Sequence, residues 1–251
     1  MMKVILKIVL SFLLIGLFSL SSNAQDSTQA FGYVKFQYAY FLPSGDFEER
    51  FNNANSVGGE IGYKLFSNWH FSISGAYLFS RDVKVNDLLA DVINEAGDVI
   101  DSEGELVKIT YELRGQSYFA KVGRVFNVLA PNQNSGILVT AGAGYFQHKI
   151  KIDYRDGDVF QLSEERLKGY DHLSTGFALQ QFVGYQYFGN SNLLNFYAGF
   201  EFIQAFTKNR RKYNYDTRSF DTERKSDYLA GFRVGWVIPF RKRRAEEFYY
   251  Y

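Results

Sequence analysis

Three histidines and no cysteine limit the side-chain chemistry open to this chain of 251 residues. A base stands beside a nucleophile in His172-Leu173-Ser174-Thr175. On an extended segment, residues two apart share a face, so His172 could take the Ser174 proton. A catalytic imidazole also needs a third group to fix its tautomer and orientation. No acid occurs between Ser174 and Glu201 to do so, and the pattern argues against catalysis. His70 and His148 have no evident nucleophile to pair with. Without thiolates, and with so few imidazoles, no metal or other cofactor is expected.

Charge is concentrated in two other segments. Between Arg81 and Val107 lie Asp82, Asp87, Asp91, Glu95, Asp98, Asp101, Glu103 and Glu105, eight acids against Arg81 and Lys84, for a net −6. Clustered carboxylates suit calcium, but Asp98-Val99-Ile100-Asp101-Ser102-Glu103-Gly104 lacks the one-three-five ligand spacing of an EF-hand loop. A solvated acidic hairpin turning at residues 102–104 is expected instead. Val85, Leu88, Leu89, Val92 and Ile93 add nearly helical apolar spacing to the same segment. Between Lys208 and Asp227, seven cations face four acids, for a net +3, with Tyr213, Tyr215 and Phe220 interleaved. Arg210, Arg211 and Lys212 there could grip lipopolysaccharide phosphates, since guanidinium forks match phosphate oxygens. A salt-bridged crown against the acidic segment is the competing expectation.

The elements that must position these groups alternate with period two, the signature of strands. Eight such segments follow residue 25: 31–42, 56–66, 70–80, 108–126, 137–154, 173–188, 194–207 and 228–240. On one face run Phe, Tyr, Val and Ile, as in Tyr228, Ala230, Phe232, Val234, Trp236, Ile238 and Phe240. Opposite lie Gly, Ser, Ala and Gln with a few charges. The connections are long and short by turns: 43–55, 67–69, 81–107, 127–136, 155–172, 189–193 and 208–227. Antiparallel strands crossing a membrane produce this rhythm. A fold of eight-stranded antiparallel transmembrane β-barrel, all-β with a closed polar interior, follows. Eight strands enclose a space just wide enough for side chains, too narrow for the aromatic face. That face therefore turns to lipid, and Lys35, Glu60, Lys64, Glu201 and Arg233 turn inward. The expected network joins Glu60 and Glu201 to Lys35, Lys64 and Arg233, as polar filling rather than a pore. Lys121 joins them if Tyr118, Ala120 and Val122 face outward. The 108–126 segment is less regular, and a bulge is expected near Gly115, where the apolar parity changes.

Composition agrees: 18% of residues are aromatic, with 22 Gly and 3 Pro, which favours strands. Absent Cys excludes a disulfide framework, and near-balanced charge gives no footprint for nucleic acid. Residues 1–24 read as a signal peptide: Lys3 and Lys7, an apolar run from Ile8 to Leu20, then Ser22-Asn23-Ala24 before cleavage at Gln25. The barrel is then 25–240, followed by a basic and aromatic periplasmic tail, 241–251. Phe248, Tyr249, Tyr250 and Tyr251 are candidates for docking a partner.

Over residues 31–240 the chain resembles the small outer-membrane β-barrels of the OmpA/OmpX type. The last strand, Arg233-Val234-Gly235-Trp236-Val237-Ile238-Pro239-Phe240, fits their β-signal at Arg233, Gly235, Ile238 and Phe240. That pattern ordinarily ends the chain, whereas here 11 residues follow. Leu113 to Phe119 and Glu247 to Tyr251 are similar to segments of Bacteroidota outer-membrane barrels. The resemblance implies an outer-membrane location, contact with outer-membrane lipids, and insertion by the barrel-assembly machinery. The closed interior, long loops and aromatic tail lead to the expectation of a non-catalytic binding or scaffold component, as a subunit of an outer-membrane secretion or barrel-assembly complex or as a stand-alone lipid- or ligand-binding barrel. His172-Leu173-Ser174-Thr175 also faintly resembles the His-x-Ser-Asn stretch of the lipid A deacylases, with Thr175 where Asn should stand.

Overall fold

A computed structural model describes residues 28–84, 88–89, 99–100, 105–155, 164–189, 194–211 and 213–240. The strands are β1 (Phe31–Gly45), β2 (Ala54–Lys64), β3 (Trp69–Ser80), β4 (Val99–Ile100), β5 (Leu106–Phe126), β6 (Gly136–Arg155), β7 (Ser174–Phe188), β8 (Asn195–Asn209) and β9 (Arg224–Phe240). One helical turn, α1 (Glu164–Leu167), precedes β7. All strands but the two-residue β4 form one antiparallel ring, in which β1 pairs with both β2 and β9, and β3 pairs with β5. Closure satisfies every strand edge internally, which hydrocarbon requires of any sheet that spans it. β4 pairs only with the start of β5, Val99 opposite Val107.

Parity sets the two faces. Phe200, Ile73 and Ile61 point outward and are 73%, 71% and 70% exposed. Every neighbouring strand shows the same, with Phe36, Phe71, Phe177, Phe232 and Trp236 also exposed. In water such a belt would forfeit about 25 cal/mol for each Å² of apolar surface left uncovered; lipid covers it at no such cost.

The bulge expected at Gly115 is absent. Register runs unbroken from Trp69↔Arg124 to Ser80↔Leu113 on one side of β5, and from Lys108↔Arg155 to Phe126↔Ile137 on the other. What changes is the solvent. Up to Tyr118 and Tyr145 the outward residues are Val139, Ala141, Ala143, Ala120 and Val122; beyond them they are Gln116, Arg114, Gln147, Lys149 and Lys151. Inward residues change the opposite way, and Leu113, Phe146, Ile150 and Ile152 are buried. The strands leave the bilayer and continue as a water-surrounded barrel, so the apolar parity reverses while the register does not.

The closed interior is layered. Nearest the short turns, Phe31, Tyr33, Val125, Leu138, Phe182, Phe188, Tyr197 and Val237 pack together. Toward the long loops a larger apolar cluster includes Phe41, Leu78, Leu113, Phe146 and Ile203. Phe47 and Phe51, from the first long connection, fill the mouth and are fully buried. Leu88 and Leu89 join the same cluster, so part of the apolar stripe in the acidic segment covers the barrel end. The remainder of that stripe, and the turn at 102–104, lie outside the described residues.

Candidate functional site

Between the two apolar layers lies a layer of charge, built by five strands. In register, Lys35 of β1 stands opposite Glu60 of β2. Glu60 pairs with Lys35 Nζ at 3.2 Å and with Lys121 Nζ of β5 at 2.9 Å. Tyr33 donates its hydroxyl to Glu60 Oε1 at 3.3 Å. The Lys35 ammonium also lies over the rings of Tyr33 and Tyr197, 4.7 and 4.8 Å from their centroids. Across the lumen, Arg233 Nη2 pairs with Glu201 Oε1 at 2.5 Å, and Gln180 donates to the same carboxylate. Tyr197 donates to Gln37 Oε1 at 3.0 Å. All three cations and both acids are nine-tenths buried or more. A buried charge is tolerated only when paired and hydrogen-bonded; each of the five is paired here, while Glu201 Oε2 and Arg233 Nε have no hydrogen-bond partner among the described residues.

Lys64 departs from the expected network. It shares the inward face, yet its ammonium donates to Gln29 O at 3.0 Å and Asn134 Oδ1 at 2.9 Å, at the mouth beside the short turns. Four residues separate it from Glu60, about 13 Å along a strand. Lys121, which the sequence placed here only conditionally, holds that position.

At the opposite mouth the structure assembles a second buried cluster that residue spacing did not reveal. His148 Nε2 lies 3.0 Å from Asp227 Oδ2, which also accepts from Thr207 Oγ1 at 2.6 Å. The imidazole is wedged against Phe47 and Phe51, at centroid distances of 4.8 and 6.1 Å. Arg50 is buried beside it with neither terminal guanidinium nitrogen hydrogen-bonded among the described residues. The parity of Phe146, His148 and Ile150 was the available signal that His148 faces inward; its partner lies 79 residues away.

The long loops close on each other at the rim. His172, at a φ of 46°, places Nε2 2.8 Å from Asp216 Oδ2. An acid therefore does orient His172, supplied by the last long connection rather than by the neighbouring sequence. The nucleophile does not follow: Ser174 Oγ donates to the His172 carbonyl at 3.1 Å and is fully buried. Arg211 Nε donates to Asp171 Oδ1 at 2.8 Å, with a second bond to Oδ2, and Arg210 donates to Thr175. Two arginines assigned to phosphate thus already hold protein groups, and among the described residues the crown's acids are Asp171, Asp216 and Asp221; most acids of the 81–107 segment lie outside the described residues. Lys225 Nζ pairs with Asp221 at 2.5 Å.

Electrostatics outside the membrane agree with this stitching. Burial is the largest influence and tends to raise the Asp216 carboxyl, but the hydrogen bond and charge of His172 together with backbone hydrogen bonds outweigh it, and the group sits below its ordinary value. Asp221 is likewise held low against burial by Lys225. The hydrogen bond to Asp171 holds the Arg211 guanidinium above its ordinary value.

Of the β-signal residues, Arg233 turns inward to Glu201, and Ile238 and Phe240 lie on the outward parity of β9. Gly235 lies beneath a ring: a Cβ there would fall 2.4 Å from Tyr197 Cε1. Gly62 lies in the same relation to Tyr33, at 2.5 Å. The expected signal peptide at residues 1–24, Lys212, and the tail with Phe248, Tyr249, Tyr250 and Tyr251 lie outside the described residues.

These features define a closed eight-stranded antiparallel β-barrel with a lipid-facing belt and a filled interior. Among solved structures it is similar to Neisserial surface protein A, with 13% identity, 84% of this chain and 99% of that one covered, and a TM-score of 0.45. It is similar also to Ail of Yersinia pestis, solved with the heparin analogue sucrose octasulfate (12% identity, 84% and 99% covered, TM-score 0.38). A third is the outer membrane protein OprG of Pseudomonas aeruginosa (11% identity, 84% and 98% covered, TM-score 0.34). No protein-family model matches the chain, and no curated protein matches it.

Proposed function

We propose that this protein is a non-catalytic component of a Gram-negative outer membrane, exported by residues 1–24, that works as a binding or scaffold barrel through its outer surface and its tail. In this reading the long loops face outward and residues 241–251 lie in the periplasm. The observation that carries it is the filled lumen. Among the described residues, apolar layers on both sides of the charge layer leave no water-lined path, which supports a surface role over conduction. The direction of the Ser174 hydroxyl, away from the His172 ring, favours binding over hydrolysis.

The test compares full-length tagged protein with a variant ending at Arg244, each extracted from its native membrane in mild detergent. Mass spectrometry of stoichiometric co-purifying chains is the readout. Partners present with the full chain and lost on truncation would identify a complex subunit docked through Phe248 to Tyr251. A barrel that purifies alone in both forms would overturn the subunit reading and leave a stand-alone lipid- or ligand-binding barrel.

A further inference from the structure

We propose that the outward wall of β5 and β6, just above the apolar belt, binds the phosphorylated headgroup of an outer-leaflet lipid. The inference rests on the outer-membrane reading above and names one ligand class and its site.

Height comes first. Tyr118 and Tyr145 are cross-strand partners and mark the last outward aromatics of the belt on this wall. Their hydroxyls lie 3.2 Å from Gln116 Oε1 and 3.0 Å from Gln147 Oε1, the next outward residues toward the loops. Aromatic side chains of this amphipathic kind sit at headgroup level in membrane barrels. One step further out stand Arg114 and Lys149, cross-strand partners, and Lys151 one step beyond them. The cations therefore occupy the level at which lipid phosphates lie.

Shape and charge agree with height. A groove of about 430 Å³ is lined by Tyr77, Arg114, Gln116, Gln147, Lys149 and Lys151. A second, of about 610 Å³, shares Arg114 and adds Arg81, Glu112 and Asp82. Glu112 accepts from both Arg81 and Arg114, so one acid serves two guanidiniums. Lys151 pairs with Asp153 at 3.3 Å. Lys149 forms no ion pair among the described residues. Arg81, Arg114, Lys149 and Lys151 thus outnumber Glu112, Asp82 and Asp153 at the two grooves by one. Guanidinium forks and ammonium groups are the usual binders of phosphate. Directly below, Ala120 stands opposite Ala143 and Val122 opposite Ala141. That shallow strip on the lipid face leaves room for acyl chains under the headgroup, which selects a lipid over free phosphate.

The full-length protein would be inserted into phosphatidylcholine nanodiscs doped with diphosphoryl lipid A or its dephosphorylated form, and retained lipid counted by native mass spectrometry. Heat-modifiable gel migration reports folding. The wild-type barrel should retain the phosphorylated lipid at least tenfold better, since each interfacial cation contributes about 1 kcal/mol. The triple variant Arg114→Gln, Lys149→Gln, Lys151→Gln should lose that preference. Lys149→Gln alone, which breaks no ion pair, should lose about fivefold. The control Lys208→Gln, Arg224→Gln, on the paired outward positions of β8 and β9, should keep it. Equal retention of both lipids by the wild type, or undiminished preference in a folded triple variant, would overturn the site. Failure of the wild type to insert would instead overturn the membrane reading on which it rests.

Discussion

Glu60→Gln tests the charge layer most directly. Glu60 is the sole acid within ion-pair distance of both Lys35 and Lys121 among the described residues, and all three side chains are nearly inaccessible. Glutamine keeps the shape and removes the charge. Breaking a buried pair by removing one partner costs about 3–5 kcal/mol, because the remaining ion is left uncompensated. Lys35 retains two tyrosine faces, each contributing about 0.5–2 kcal/mol, whereas Lys121 loses its ion pair outright. The expected loss is therefore about 3–4 kcal/mol, carried mainly by Lys121. If so, Glu60→Leu with Lys121→Met, which removes both charges together, should recover more than half of it. Reversible urea unfolding in phospholipid vesicles, followed by gel mobility and by fluorescence of the chain's two tryptophans, gives both values. A Glu60→Gln barrel within about 1 kcal/mol of wild type would refute the reasoning, as would a double variant less stable than the single.

Gly235→Ala should cost about 1–3 kcal/mol by overpacking against Tyr197; combined with Tyr197→Leu, the two losses should sum to less than their separate values in the same unfolding assay. Phe47→Ala empties part of the barrel mouth and should cost about 3–5 kcal/mol, while Phe200→Ala on the lipid face should stay within about 1 kcal/mol, since lipid tails replace the lost contacts. Asp216 and Asp221 have folded pKa values below their unfolded ones, so their stabilisation is complete above about pH 4 and is lost as pH falls through the depressed values. Hydrogen exchange of residues 213–221, corrected for intrinsic rate, should therefore be level from pH 7 to 5 and accelerate toward pH 3; exchange independent of pH over that range would contradict the stitching role of the two acids.

What the sequence made legible was parity. Alternation identified all eight ring strands, and with them which residues face lipid, because a one-residue slip would turn every aromatic inward. Height was not legible. Lys35, Lys64 and Lys121 share the inward face, but which of them meets Glu60 depends on register between strands, and register is set by pairing, not by the alternation of any one segment. The same limit hid Asp216 from His172 and Asp227 from His148, partners supplied by chain 44 and 79 residues distant. Around Gly115 the error had another cause: reversed apolarity was read as a shifted backbone, when the backbone was constant and the surroundings had changed.

That reversal makes two thermodynamically different bodies of one continuous sheet. Around Leu113, Phe146 and Ile150 the interior is shielded from water by a polar exterior, so opening this part exposes apolar surface to water and should carry a large positive heat capacity change. Lower down, the outward aromatics leave lipid only to meet lipid again, and opening there costs mainly backbone hydrogen bonds and the charge layer, with little heat-capacity signature. Cooling weakens the first kind of stabilisation and scarcely touches the second. The loop end of this barrel should therefore be its cold-sensitive end, loosening on chilling while the membrane-embedded end stays closed.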